Sequence, residues 1–266
     1  MTRTRRTQVF WMMACIAAVH GLFGLGLYPR LRSLTPFFLQ DRDFYADIAA
    51  NLAAGRGYSL GPEVGNPDLG PHHPTLRRMP AYPLLLAGLD RLAGPSPAAL
   101  FLLQLGLVLA ACAWIYRIGA RVDHPTGLLA MLLLGAYPQI IVYAPRAYSE
   151  TLLVFFVCGT LYATLRFLED GRWGHLAAAA ALAGGAWLTR STVGLWLVPV
   201  AVLLLRSDAA RGRRLKLALA AAGLFALLLA PWVVRNWRAS DSFVPGTTWN
   251  TRSALAGLRV MTQPLG

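Results

Sequence analysis

The feature that most constrains this chain is a series of apolar runs of membrane-spanning length, separated by short polar connections, from residue 8 to residue 234. A hydrocarbon core about 30 Å thick needs roughly 20 apolar helical residues to cross it. In lipid every backbone donor and acceptor must be satisfied, and for runs of this length the solution is the α-helix. The expected fold is therefore all-α, a polytopic transmembrane helical bundle of about seven spans. Composition agrees, with 56% hydrophobic and only 14% charged residues. Soluble domains carry about 25% charge.

The net charge of +13 comes from 24 arginines and a single lysine. No soluble domain is available to present a basic patch, so a nucleic-acid partner is not expected. Arginine at the ends of apolar runs reads as a topology signal instead. Cys15, Cys112 and Cys158 fall inside expected spans, which excludes a disulfide framework and a zinc spacing. MTRTRR before the first run mimics a signal peptide. No small-residue cleavage site follows, and the run is taken as an uncleaved first helix.

In chain order, spans are expected at residues 8–28, 97–118, 127–144, 149–168 and 217–234. His20, the only ionisable side chain within the first span, is expected to pack against a neighbouring helix. The stretch 174–206 holds Arg190 near its middle, and as one helix it would be about 50 Å long, too long for a bilayer. A turn at Thr189–Thr192 is expected to split it into two short helices. With the N-terminus cytoplasmic, the short inner connections then carry twelve of the 25 basic residues, while eight of the twelve acids lie outside. The positive-inside rule is thereby met in a multi-pass protein of the inner or plasma membrane. Residues 29–96 become a first extracytoplasmic loop and 235–266 an extracytoplasmic tail, within one domain covering 1–266.

That first loop is the long polar segment of the N-terminal half, and its residues 39–86 carry the chemistry. Phe44, Ile48 and Leu52 recur at helical spacing, with Asp43, Asp47 and Asn51 on another face, which predicts a short interfacial helix ended by Gly55 and Gly57. The run Leu84–Leu92 is too short to span and predicts a re-entrant or interfacial helix. Asp41-Arg42-Asp43 has the D-x-D form of nucleotide-sugar transferases, yet it faces away from cytosolic nucleotides. Its plain structural reading makes Asp43 the N-cap of the interfacial helix and Asp41 a solvated neighbour. No P-loop, dinucleotide fingerprint or H-E-x-x-H motif is present.

Several stretches taken together resemble one family. They are D-x-x-x-Y at Asp41–Tyr45, N-L-A-A-G-R-G-Y-S at Asn51–Ser59, R-M-P-A-Y-P-L-L-L at Arg78–Leu86, Ser149-Glu150, Leu188-Thr189-Arg190, and Pro231-Trp232 through Arg235-Asn236. In this order they are similar to the GT-C membrane glycosyltransferases, in the branch of the protein mannosyltransferases and bacterial aminoarabinose transferases. The resemblance implies transfer of a sugar from a polyprenyl-phosphate donor to a glycan, lipid or protein acceptor on the extracytoplasmic face. It implies Asp41 as the catalytic base of an inverting reaction and Arg78 as the group meeting the donor phosphate. Asp43, Tyr45, Tyr82, Glu150, Arg190 and Arg235 would complete the substrate-binding surface. Met79 stands where the family has the first proline of a pair. Family members continue with further helices, so the resemblance also implies an N-terminal portion or an unusually short member.

Plainer readings stand beside these roles. Arg78 also suits an interface anchor on lipid headgroups, and Arg190 and Arg235 suit structural or headgroup contacts. No cofactor is expected; His72 and His73 with Asp41 or Glu150 are the one alternative, for a divalent metal. From other functional classes, a flippase or transporter of lipid-linked sugar and a non-catalytic membrane subunit remain. A transporter tends to show inverted repeats and midplane ionisable groups, and the sequence has neither.

Overall fold

A computed structural model describes residues 3–30, 44–61, 73–192 and 211–247. The protein is an all-α helical membrane protein. The helices are α1 (Arg3–Gly21), α2 (Tyr45–Ala53), α3 (Ala81–Ala93), α4 (Pro97–Gly119), α5 (His124–Gly135), α6 (Pro138–Tyr143), α7 (Glu150–Asp170), α8 (Trp173–Thr189) and α9 (Arg211–Ser240). A two-residue antiparallel pair interrupts them, β1 (Ser59–Leu60) with β2 (His73–Pro74). Among the described residues, four helical segments are long and apolar enough to cross a membrane: Arg3–Arg30, Pro97–Gly119, Glu150–Asp170 and Lys216–Ser240.

The first of these carries α1 onward through a π-helical turn at Leu22–Leu27. His20 is fully buried and its Nε2 lies 2.9 Å from the Gly135 carbonyl oxygen, so it does pack against a neighbouring helix. The expected span 127–144 is instead two helices. α5 ends at Gly135, Tyr137 adopts an extended conformation, and Pro138 opens α6 at a position where its missing N–H costs nothing. The break at 189–192 is as expected: α8 ends at Thr189 and Arg190 is extended. The second short helix predicted there lies largely outside the described residues.

The last helix departs most from expectation. It runs 30 residues from Arg211 to Ser240, passing Pro231 without ending. Arg235 and Asn236 are therefore helical residues, and the tail begins at Asp241. Lipid-embedded helices accommodate an internal proline where neighbouring groups re-satisfy the backbone.

Contacts sort the helix ends onto two faces. At one, the His124 imidazole lies 2.8 Å from Gln8 Oε1 and 3.0 Å from the Tyr116 hydroxyl. There too Arg121 and Arg166 both reach Glu169, and Phe167, Leu176 and Leu217 pack together. Asp123 caps α5 by accepting from the Thr126 N–H at 2.7 Å, a bond that holds its carboxyl below the ordinary range. The opposite face gathers residues 44–61 and 73–93, the start of α7, the end of α8 and the end of α9. Between the faces, α4 packs with both α5 and α7, and α8 with both α7 and α9. Close approach at the α4–α5 turn depends on glycine: a Cβ on Gly127 would lie 2.8 Å from the Tyr116 carbonyl oxygen. Such small-residue contacts substitute for the hydrophobic drive that lipid cannot supply.

Candidate functional site

Residues 44–61 and 73–93 fold into a cap over the second face. α2 starts at Tyr45, with Phe44 as its N-cap in a left-handed conformation and no side-chain capping bond. The capping position expected at Asp43 thus falls one residue later, and Asp43 itself lies outside the described residues. Tyr45, Ile48 and Ala49 face inward. Gly55 and Gly57 adopt φ of +75° and +74°, the left-handed turn that ends the helix as expected. Asn51, expected on one face with Asp47, is buried. Its Nδ2 donates to the Ser59 carbonyl and its Oδ1 accepts from Arg56 Nε, both at 2.9 Å, which holds the glycine turn closed.

α3 has only 13 residues, about 20 Å of helix, too short to span as predicted. It packs on α2 through an edge-to-face pair of Tyr45 and Tyr82, centroids 5.1 Å apart, in a cluster with Ala49, Leu86, Ala87 and Leu152. Arg91 donates to the Leu52 carbonyl at 3.0 Å, placing a cation at the C-terminal end of α2. The arginine pair just before α3 stacks on the aromatic pair opening α2. The Arg77 guanidinium lies 5.7 Å from the Phe44 ring centre and that of Arg78 lies 5.4 Å from Tyr45. Arg78 is buried and Arg77 is half-buried.

Tyr45 joins this cap to the bundle. Its hydroxyl lies 3.1 Å from the buried Ser149 Oγ. Ser149 precedes Glu150, whose Oε1 meets Arg190 Nη1 at 3.0 Å, tying the start of α7 to the end of α8. The other Glu150 oxygen is buried and has no hydrogen-bond partner among the described residues. Beneath them Gln104 on α4 donates to the Arg146 carbonyl and accepts from Thr151, so the turn into α7 is anchored from inside the bundle.

On the far side, Arg235 of α9 reaches back to the cap. Its Nη1 donates to the Thr75 carbonyl at 2.7 Å and its Nη2 to the Tyr58 carbonyl at 2.8 Å, across the β1–β2 junction. The Tyr58 ring lies 5.1 Å from this guanidinium and 5.0 Å from the Trp232 ring. The Tyr58 hydroxyl in turn donates to the carbonyls of Arg78 and Met79, at 3.0 and 3.1 Å. Burial, with the Tyr45 hydroxyl adding to it, pushes the Tyr58 phenol well above its ordinary value against the pull of Arg235 and Arg78. It therefore remains a protonated donor.

Of the candidate residues, Tyr45, Arg78, Tyr82, Glu150, Arg190 and Arg235 come together in one chain of contacts drawn from four parts of the sequence. Asp41, Asp43 and His72 lie outside the described residues. His73 is in β2, and among the described residues no three His, Cys, Asp or Glu side chains cluster as metal ligands would. Sequence reasoning quoted Tyr58 and Ser149 within motifs but gave them no role, and it passed over Gln104. A tyrosine directly after a positive-φ glycine was the available signal for Tyr58; a lone glutamine in an apolar span was the signal for Gln104.

The family model for dolichyl-phosphate-mannose-protein mannosyltransferases matches residues 72–235, most of the chain. The chain belongs to that family. This mannosyltransferase family is of the GT-C type, and the protein is a multi-pass membrane glycosyltransferase. The matched region contains Arg78, Tyr82, Glu150, Arg190 and Arg235, and it starts beyond Asp41, Asp43, Tyr45 and Tyr58. No curated protein and no solved structure matches the chain significantly.

Proposed function

We propose that this glycosyltransferase moves a sugar from a polyprenyl-phosphate donor to an acceptor hydroxyl on the extracytoplasmic face, with inversion at the anomeric carbon. The observation that carries the reading is the buried Arg78 guanidinium, held on the Tyr45 ring at 5.4 Å within the cap. A planar cation at a membrane interface suits a phosphate diester whose sugar–oxygen bond breaks, because charge grows on the leaving phosphate as it departs. On that face nucleotide sugars are absent, and a lipid phosphate is the carrier that crosses the bilayer.

In this scheme the acceptor oxygen attacks the anomeric carbon opposite the phosphate, the carbon–oxygen bond to phosphate breaks, and the polyprenyl phosphate leaves as an anion. The acceptor proton passes to the Asp41 carboxylate, the role the family resemblance gives it. Glu150 Oε2, which has no hydrogen-bond partner among the described residues, is suited to accept a hydrogen bond from a sugar or acceptor hydroxyl, while Arg190 orients the carboxylate. Tyr82 and Tyr45 form the aromatic wall under Arg78. Arg235 acts on the cap rather than on the donor, since its terminal nitrogens are occupied by backbone carbonyls.

The test is a transfer assay in inverted and right-side-out membrane vesicles. Label should move from a prenyl-phosphate sugar on the extracytoplasmic side and should not move from a nucleotide sugar on either side. Transfer from the nucleotide sugar by purified protein would overturn the reading.

A further inference from the structure

We infer that Tyr58 is a positioning residue for Arg78, held in place by Arg235 from the far end of the chain. The inference rests on the proposed role of Arg78 at the donor phosphate. Three observations converge on it. The Tyr58 hydroxyl binds the carbonyls of Arg78 and Met79 at 3.0 and 3.1 Å, fixing the backbone from which the Arg78 side chain leaves. The Tyr58 carbonyl accepts from Arg235 Nη2 at 2.8 Å and from the Thr75 N–H at 3.2 Å, so α9 and the residue just after β2 both hold it. The Tyr58 ring is packed edge-on against Trp232 and under the Arg235 guanidinium. Burial raises the phenol above its ordinary value, which favours the protonated hydroxyl as donor.

Geometry of this kind acts through another residue. Arg78 lies within a buried cluster, and a shift of its backbone moves the guanidinium off the Tyr45 ring and off a phosphate placed against it. A sub-ångström misplacement of a charge-assisted contact is felt in affinity. Residue 58 and residue 235 are 177 positions apart, so the placement of Arg78 is tied to the correct seating of the last described helix.

The experiment is a double-mutant cycle on donor binding and transfer, using short-chain prenyl-phosphate mannose as the probe. Tyr58→Phe removes only the hydroxyl and retains the packed ring; it should weaken binding roughly three- to tenfold, as expected for one lost hydrogen bond. The loss should appear in kcat as well as KM, because Arg78 also meets the charge that grows on the leaving phosphate. In an Arg78→Ala background the same change should have no further effect. Arg235→Lys, which keeps the charge but lacks the fork that spans two carbonyls, should reproduce the pattern. Tyr58→Phe binding like wild type, or costing as much without Arg78 as with it, overturns the inference while leaving the donor reading standing. Wild-type protein that does not bind the probe overturns the donor reading, and the inference with it.

Discussion

Two adjacent arginines, Arg77 and Arg78, carry the same charge and have different surroundings. Arg77 is half-buried against Phe44, whereas Arg78 is buried against Tyr45 and its backbone is gripped by Tyr58. Arg78→Ala should therefore weaken binding of a prenyl-phosphate sugar by roughly ten- to a hundredfold, the scale of a charge-assisted contact. Arg78→Lys should recover only part of this, and Arg77→Ala should stay within about threefold. Equal losses at both positions would indicate general attraction to lipid phosphate. The Glu150–Arg190 pair is more open, with 37% of the arginine side chain exposed, so its contribution to stability is modest. Arg190→Gln alone leaves Glu150 without its cation. It should lower thermal stability more than the double change Glu150→Gln with Arg190→Gln, as measured by melting in detergent.

Among the elements, the α4–α5 turn makes the sharpest prediction. A Cβ on Gly127 would meet the Tyr116 carbonyl oxygen at 2.8 Å and Ala120 N at 3.0 Å, and backbone cannot step aside. Gly127→Ala should cost on the order of 1–3 kcal/mol, seen as reduced yield and a lowered melting temperature. Gly106→Ala, with nothing within 4 Å of the added carbon, should be silent. The same elements show what the sequence could disclose. Arg190 inside an overlong apolar run announced the end of α8, and the paired glycines announced the end of α2, because charge burial and positive φ are local penalties. Pro138 marked the α5–α6 break in principle, yet the run's apolar length masked it. The β1–β2 pair was not legible, since two-residue strands have no periodicity. α9 was expected to end at residue 234, where the apolar run gives way to Arg235 and a polar stretch. What extends it is tertiary: Arg235 bonds the cap, and Asn236 donates to the Val244 carbonyl at 2.8 Å. The order of the site motifs was readable; the partners that fix their geometry were not, lying between 20 and 177 residues away along the chain.

For the whole molecule, the structure separates a face of ion-paired arginines from a face covered by the cap, and the account places the cap outside. Single cysteines at exposed Ala54 and Ser242, in protein lacking Cys15, Cys112 and Cys158, should react with an impermeant thiol reagent in intact cells. One at exposed Val122 should react only after the membrane is opened. The reverse pattern would invert the topology and place the site in the cytosol. The central claim is that the cap and the bundle end beneath it form a transferase site whose base is Asp41. The most direct measurement is single-turnover transfer from labelled prenyl-phosphate mannose by wild type, Asp41→Asn and Asp43→Asn, each checked for membrane insertion and donor binding. Asp41→Asn should insert, bind donor and transfer about 10² to 10⁴ times more slowly, the usual loss on removing a general base. Asp43→Asn should stay measurably active. Transfer by Asp41→Asn near the wild-type rate would contradict a base at Asp41.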